Sequence, residues 1–417
     1  MKILKLTAKT EANLMRLREG DDRVALKATA KIVADVRQHG DAALDKWNRK
    51  FDPAAPKRVS LWIPSEEMAA AKKRVSRGFL RAISHAADNV RRVAEKQMPR
   101  EWSLRVESGV TVGQIVRPLE SIGCYIPGGR FALVSTLVMT VVPAQVAGVR
   151  RIVAVCPRPN DELLAAADFL GVTHLASIGG AQAIAALAYG TKRIAPVEKI
   201  FGPGNRYVTA AKQIVSATCA IDLPAGPTEA VVLANHGNPG WIAADLLAQA
   251  EHAPDAGSYL VTSSARFAQK VQREVIAQLQ ELPADNPAQL SIRNMGAILL
   301  APSWGAACEF VNRFAPEHLS LPSDDGKSLS KLRSAGTVFL GSLSAQPFGD
   351  YASGSNHVLP TGGWARRRGG LNASDFVKCI SVQTIGSSGF RRLAADVQVL
   401  ARAEGLLAHA NAVEVRR

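Results

Sequence analysis

The sequence is poor in cysteine and in aromatic residues. Its five cysteines among 417 residues (Cys124, Cys156, Cys219, Cys308, Cys379) form no CxxC pair. An odd, scattered set argues against a secreted disulfide framework and a thiolate zinc knuckle, and fits a reducing, cytoplasmic setting. Aromatic residues make up 6% of the chain, so no basic stripe interleaved with stacking rings is visible. Low-complexity runs are missing too. With 47% hydrophobic and 21% charged residues, the composition is that of a globular protein, not a disordered or collagenous chain. The opening MKILKLTAKTEANLMRLREG breaks its apolar residues with charges and lacks the continuous apolar stretch of a secretory signal.

Acidic residues are outnumbered, 36 against 51 basic ones, for a net charge of +15. The surplus is spread along the chain, with one tight cluster at Arg366, Arg367 and Arg368. Such a distribution reads as a solvated surface, and no nucleic-acid partner is expected. The uncharged run FALVSTLVMTVVPAQVAGV at residues 131–149 is long enough to suggest a membrane span. Ser135, Thr136, Thr140, Gln145 and Pro143 interrupt it, and no second span accompanies it. It is read instead as a buried helix of a large α/β core, with no membrane partner.

At about 150 residues per domain, the length allows two or three domains. The first hundred residues carry helical periodicity, as in DDRVALKATAKIVADVRQHGDAALDKWNRKF and RGFLRAISHAADNVRRVAEKQ. From Arg151 short β-branched runs alternate with helical stretches, which predicts parallel sheets covered by helices. The rhythm pauses at IDLPAGPTEAVVLAN and resumes through SYLVTS, GAILLA and GTVFLG. After Leu371 the chain reads as a mostly helical tail.

Several groups of residues carry chemistry. In QAEH, Gln249 and His252 are three apart, so an amide oxygen and an imidazole nitrogen share a helical face and can converge on a borderline cation such as zinc; the competing reading is a surface or core histidine. In APEHL, Glu317 and His318 form an acid–base station just past a helix, or a pair that merely caps carbonyls. The loop GDYASGSNHVLPTGG supplies Asp350 as a hard oxygen ligand, or is a structural turn. YIPGGR, GGAQ and GPGN are glycine-rich; the last two open helices, where free N–H groups favour an anion, yet none completes a GxGxxG fingerprint. Glu404 and His409 stand in the tail, where a lone histidine is ordinarily surface decoration.

Taken in order, CYIPGGR, GGAQAIAALAYGT, FGPGNRYVTAAK, IDLPAGPTE, DLLAQAEH, FAPEHL, GDYASGSNHVLPTGG and AEGLLAHANAV resemble the histidinol dehydrogenase family from about residue 20 to the end. The resemblance implies two NAD-dependent oxidations of L-histidinol to L-histidine through L-histidinaldehyde, the last step of histidine biosynthesis. By position it implies zinc ligands Gln249, His252, Asp350 and His409, the last from the partner subunit of a homodimer. It implies an acid–base pair, Glu317 and His318. It also implies NAD contacts at Tyr125, Gln182 and Asn205, and substrate contacts at Thr228, Gln249, His252, His318, Asp350, Glu404 and His409. The expected fold is α/β, with two Rossmann-like parallel-sheet domains, a helical N-terminal segment and a helical C-terminal tail. Residues 1–19 are expected to be the helical segment, 20–124 with 229–370 one domain, 125–228 a second inserted domain, and 371–417 a dimerisation tail. Where the family commonly has serine this chain has Thr228, which keeps the hydroxyl and adds a methyl. A dehydrogenase of another small amino or sulfonated alcohol is the competing expectation, and Glu404 with His409 favours histidinol. WARRRGG at residues 364–370 is more basic than the resemblance explains.

Overall fold

The computed structural model describes residues 1–19, 23–53, 60–128, 132–224, 226–322 and 326–417. Its frame is two all-parallel sheets. One has six strands in the spatial order Lys2–Lys5, Ala297–Leu300, Gly257–Thr262, Glu229–Leu233, His318–Leu321 and Thr337–Leu340. The other has five, in the order His174–Ala176, Arg151–Val155, Ser121–Tyr125, Lys199–Phe201 and Ala220–Ile221. The α/β class with two parallel sheets is as expected. Parallel strands need helical crossovers, so helices cover both faces and the strands are apolar on both sides. Alternation along a strand sorts side chains between the faces: Ile122 and Cys124 join one core and Tyr125 the other, while Val231 and Leu233 join a third core and Val232 a fourth.

The packing departs from the sequence reading in three places. Helices Arg23–Phe51, Ser65–Ala71 and Arg77–Gln97 pack on the five-stranded unit, with Val36, Leu44 and Trp47 in one of its cores and Met68, Ile83 and Val90 in the other. The sequence reading had grouped them with the six-stranded one. The N-terminal segment is not wholly helical: KILK is an edge strand that precedes helix Ala8–Glu19, and it satisfies its backbone along Ala297–Leu300. The tail is not mostly helical from its start. Val377–Ile385 is a nine-residue strand, paired antiparallel with Val110–Pro118, which pairs in turn with Trp102–Glu107. The β-branched run of VKCISVQTI favours strand over helix. After this strand, helices Ser387–Ala403 and Leu407–Glu414 complete the tail.

The apolar run becomes helix Val134–Ala147, buried nearly throughout and ended by Gly148 at φ 84°. Among the described residues no helix is long and apolar enough to cross a membrane. Pro143 lies inside this helix and has no N–H to give the carbonyl four residues back. That carbonyl, of Met139, accepts instead from Asn356 Nδ2 at 2.7 Å. The polar loop that follows Tyr351 is thereby pinned to the five-stranded unit, helped by Asn89 Nδ2 donating to the Ala352 carbonyl at 2.9 Å. The WARRRGG segment makes a second bridge. Arg366 donates to the Arg313 carbonyl beside the six-stranded sheet, and Arg368 to the Asp222 carbonyl and the Asp375 carboxylate beside the other.

Candidate functional site

The six-stranded sheet reverses its strand order between Glu229–Leu233 and His318–Leu321, which lie side by side. Thr228 and Glu229 open the first of these strands, and Glu317 and His318 the second, so four polar side chains meet at the sheet's amino-terminal edge. The strand pairing brings together residues 89 apart: Thr228 Oγ1 donates to Glu317 Oε2 at 2.6 Å. The Glu229 N–H donates to the same oxygen at 3.0 Å. Gln249 Nε2 donates to Thr228 Oγ1 at 3.0 Å, and Gln249 Oε1 accepts from Gln346 Nε2 at 2.8 Å. The Thr228 hydroxyl is thus donor and acceptor at once, a role serine fills equally well.

His318 is buried, with Nδ1 3.2 Å from the Glu229 carbonyl. A carbonyl only accepts, so Nδ1 carries a proton, and in the neutral ring Nε2 keeps its lone pair. Among the described residues Nε2 is buried with no hydrogen-bond partner, and Asp350 Oδ1 stands 3.7 Å from it. Burial pulls the His318 pKa down, but the carboxylates of Glu317 and Asp350 outweigh it and leave it raised. Burial pushes Asp350 up, and His318, His357 and His252 outweigh that and hold its carboxyl below the usual range. The bland reading of His318 as a cap on helix carbonyls does not hold, because its partner is a strand carbonyl.

Asp350 lies in the short helix Gln346–Tyr351, not in irregular loop as the sequence suggested; Pro347 starts this turn. His252 falls in the turn just past helix Pro239–Ala250, its N–H 3.4 Å from the Gln249 carbonyl. Glu404 and His409 sit exposed in the terminal helical pair. Among the described residues no hydrogen bond or ion pair joins either of them to Gln249, His252 or Asp350, and no three His, Cys, Asp or Glu side chains are grouped to hold a metal ion.

The sequence reading missed six contributors. Burial pulls the His357 pKa below its usual value; Thr136 Oγ1 lies 3.1 Å from its Nε2, and its Nδ1 lies 2.9 Å from the Asp350 carbonyl. Asn356, Thr136 and Gln346 hold the loop and the amide. Glu229 and Arg18 form a buried ion pair beneath the cluster. His357, Asn356 and Glu229 lay within motifs already singled out, whereas nothing near Arg18 in sequence marked it.

The expected nucleotide residues gather elsewhere. Tyr125, Gln182 and Asn205 line one cavity of about 1410 Å³ at the carboxyl-terminal edge of the five-stranded sheet, with Gly128, Pro157, Gly179 and Gly180. This is the crevice at a strand-order reversal where α/β proteins bind ligands. Tyr125 OH accepts the Gly180 N–H at 3.1 Å, and burial pushes its pKa up to about 12, which keeps its proton for donation. Gln182 Nε2 donates to Asn48 Oδ1 at 3.0 Å, and its Oε1 is buried without a partner among the described residues. Asn205 Oδ1 caps helix Arg206–Val215. Gly129 and Arg130 of YIPGGR lie outside the described residues. The cavity lining includes none of Thr228, Gln249, Glu317, His318 and Asp350.

A family model described as histidinol dehydrogenase matches residues 15–417. The histidinol dehydrogenase of Geobacillus kaustophilus (strain HTA426) is 45% identical over 412 residues, covering 97% of this chain and 96% of the relative. The chain belongs to the histidinol dehydrogenase family. It is therefore an oxidoreductase, and its other similarities agree. The histidinol dehydrogenase of Methanothermobacter thermautotrophicus is 42% identical over 423 residues, covering 100% of this chain and 99% of the relative. A crystal structure of histidinol dehydrogenase from Elizabethkingia anophelis superposes with a TM-score of 0.94 at 36% identity, covering 100% of this chain and 98% of that one.

Proposed function

We propose that this oxidoreductase oxidises L-histidinol to L-histidine through bound L-histidinaldehyde, using NAD and zinc, as a cytoplasmic homodimer. The observation that carries the reading is His318: a buried Nε2 beside the Asp350 carboxylate, with no hydrogen-bond partner among the described residues, and an Nδ1 tied to the Glu229 carbonyl with the Glu317 carboxylate 3.6 Å away. A base so held is ready to take an alcohol proton.

The zinc donors would be Gln249, His252, Asp350 and the partner subunit's His409. They are nitrogen and oxygen donors without thiolate, and Gln249 Oε1 still has a lone pair after accepting from Gln346. Zinc there would supply orientation and charge stabilisation for the substrate's nitrogen atoms. NAD, held by Tyr125, Gln182 and Asn205, would supply the hydride acceptor for each two-electron step. The unsatisfied Gln182 Oε1 fits a ligand donor such as a ribose hydroxyl or an amide.

His318 takes the hydroxyl proton of the alcohol in the first oxidation. Glu317 holds the proton released when water hydrates the aldehyde; its Oε2 is engaged by Thr228 and Glu229, and no hydrogen bond among the described residues engages Oε1. Thr228 and Gln249 orient that carboxylate, and Glu404 with His409 of the partner subunit closes over the substrate's polar end. A second copy is supported by the apolar side chains the tail and its sheet leave in water: Trp102, Leu104 and Val106 on one strand, Ile380, Val382 and Ile385 on another, and Leu400 and Leu407 on the helices.

The test is NADH formation from L-histidinol, expected at two equivalents per histidine, with one zinc per subunit by elemental analysis. No turnover of histidinol alongside turnover of another small amino or sulfonated alcohol would replace this reading with the competing one. Mixing inactive His318→Ala and His409→Ala proteins should restore part of the activity if the site is shared.

A further inference from the structure

Arg18 stands in the last turn of helix Ala8–Glu19, and its side chain runs into the interior instead of capping that helix. Its guanidinium donates to three oxygens: the Ala315 carbonyl at 2.9 Å, the Phe314 carbonyl, and the Glu229 carboxylate. It also lies 4.1 Å from the centre of the Phe314 ring.

Those oxygens belong to the two segments that carry the catalytic groups. Phe314 and Ala315 end helix Trp304–Phe314, with Ala315 in the left-handed region at φ 49°, and Glu317 and His318 follow directly. Glu229 follows Thr228, and its own backbone touches both catalytic side chains, by N–H to Glu317 and by carbonyl to His318. A planar fork with several donors can span two carbonyls and a carboxylate; an ammonium cannot hold the same geometry. The next strand secures the far side of the turn, as the Gly336 and Thr337 N–H groups donate to the Pro316 and Glu317 carbonyls at 2.9 and 3.0 Å. From the helix side, among the described residues, the turn at Ala315 is held by the Ala315 N–H to Val311, by Arg366 donating to the Arg313 carbonyl, and by Arg18, which alone of these groups ties it to Glu229.

We propose that Arg18 is a positioning residue: by clamping Glu229 to the left-handed turn at Ala315, it sets the register in which His318 and Glu317 face Thr228. It touches neither substrate nor cofactor. The inference rests on the acid–base roles proposed above for His318 and Glu317. It separates Arg18 from an ordinary buried ion pair, which would contribute to stability alone.

The experiment compares Arg18→Met, Arg18→Lys and the double variant Arg18→Met/Glu229→Leu in the zinc-loaded full-length protein. Removing one partner of a buried pair destabilises, whereas replacing both by apolar groups restores much of the loss. The double variant should therefore recover the melting temperature. Its kcat with L-histidinol should nevertheless stay about a hundredfold low, as expected of a small misplacement of catalytic groups, with KM for NAD within about twofold. Amide exchange should rise in peptides covering residues 228–230 and 314–318 and stay unchanged in residues 257–262. If Arg18→Met does not accumulate folded, Arg18→Lys carries the same readings. A double variant that regains kcat together with stability, or unaltered exchange at 314–318, overturns the proposal. If the wild-type protein does not oxidise histidinol, the functional reading falls, and the exchange pattern alone decides the clamp.

Discussion

The two parallel sheets place their polar clusters at opposite edges. In the five-stranded sheet the cavity with Tyr125, Gln182 and Asn205 opens beyond the strand carboxyl ends, where helices Gly180–Tyr189 and Arg206–Val215 begin. Helix starts present free N–H groups and partial positive charge, which suit a phosphate. In the six-stranded sheet Thr228, Glu229, Glu317 and His318 stand at the strand amino ends, where helices Pro239–Ala250 and Trp304–Phe314 finish. Helix ends present carbonyls and partial negative charge, which suit cations and imidazolium. One fold element therefore gives two environments, and its direction decides which. Each edge also has a buried cation clamp: Arg18 grips carbonyls and Glu229, while Lys212 Nζ reaches the Gly202 carbonyl at 2.9 Å and the Asp222 carboxylate, which accepts the Gly202 N–H at 2.8 Å.

The comparison breaks if the edges are not functionally separate. His318→Ala should lower kcat about a thousandfold, within the range for loss of a general base, with KM for NAD nearly unchanged, as steady-state kinetics would read. A parallel rise in the NAD KM would mean that the two edges form one undivided site. Lys212→Met leaves Asp222 buried and uncompensated beneath the GPGN turn, and should cost about 3 kcal/mol in urea unfolding. A loss under 1 kcal/mol would show that the Lys212–Asp222 pair contributes little to stability.

Much of the separation was legible in sequence, because short motifs record backbone demands. GGAQ and GPGN open helices as expected, and APEHL follows one. The amino-edge location was not legible: nothing in IDLPAGPTE or FAPEHL says that Thr228 and Glu317, 89 residues apart, enter neighbouring strands in register. Arg18 escaped notice for a similar reason. Its partners lie 211 and 297 residues away, and an arginine in a helix's last turn normally serves that helix. Val377–Ile385 was legible and misread, since the helical tail that follows drew the whole segment into one pattern.

A gentler probe of the carboxyl edge is Gln182→Leu. It removes the buried Oε1 that no group among the described residues satisfies, together with the Nε2 bond to Asn48, and fills similar space. The NAD KM should rise about tenfold, the equivalent of one hydrogen bond of roughly 1.4 kcal/mol, while kcat with saturating NAD changes little. An unchanged KM would place the nucleotide elsewhere than this cavity.

The smallest effect tests the carbonyl-rich edge. Asp245 lies one turn before Gln249 in helix Pro239–Ala250, and burial pushes its pKa up to about 6. An unfolded aspartate titrates near 3.9, so between about pH 4 and 6 the folded protein holds the extra proton. Stability tied to this group is therefore greatest below about pH 4 and falls as pH rises to about 6. Asp245→Asn should leave the melting temperature unchanged near pH 4 and raise it at pH 7.5, by roughly 1 kcal/mol of stability once partial solvent exposure is allowed for. A lower melting temperature at pH 7.5 would mean that the ionised carboxylate has a favourable partner, and that this edge tolerates negative charge as readily as the other.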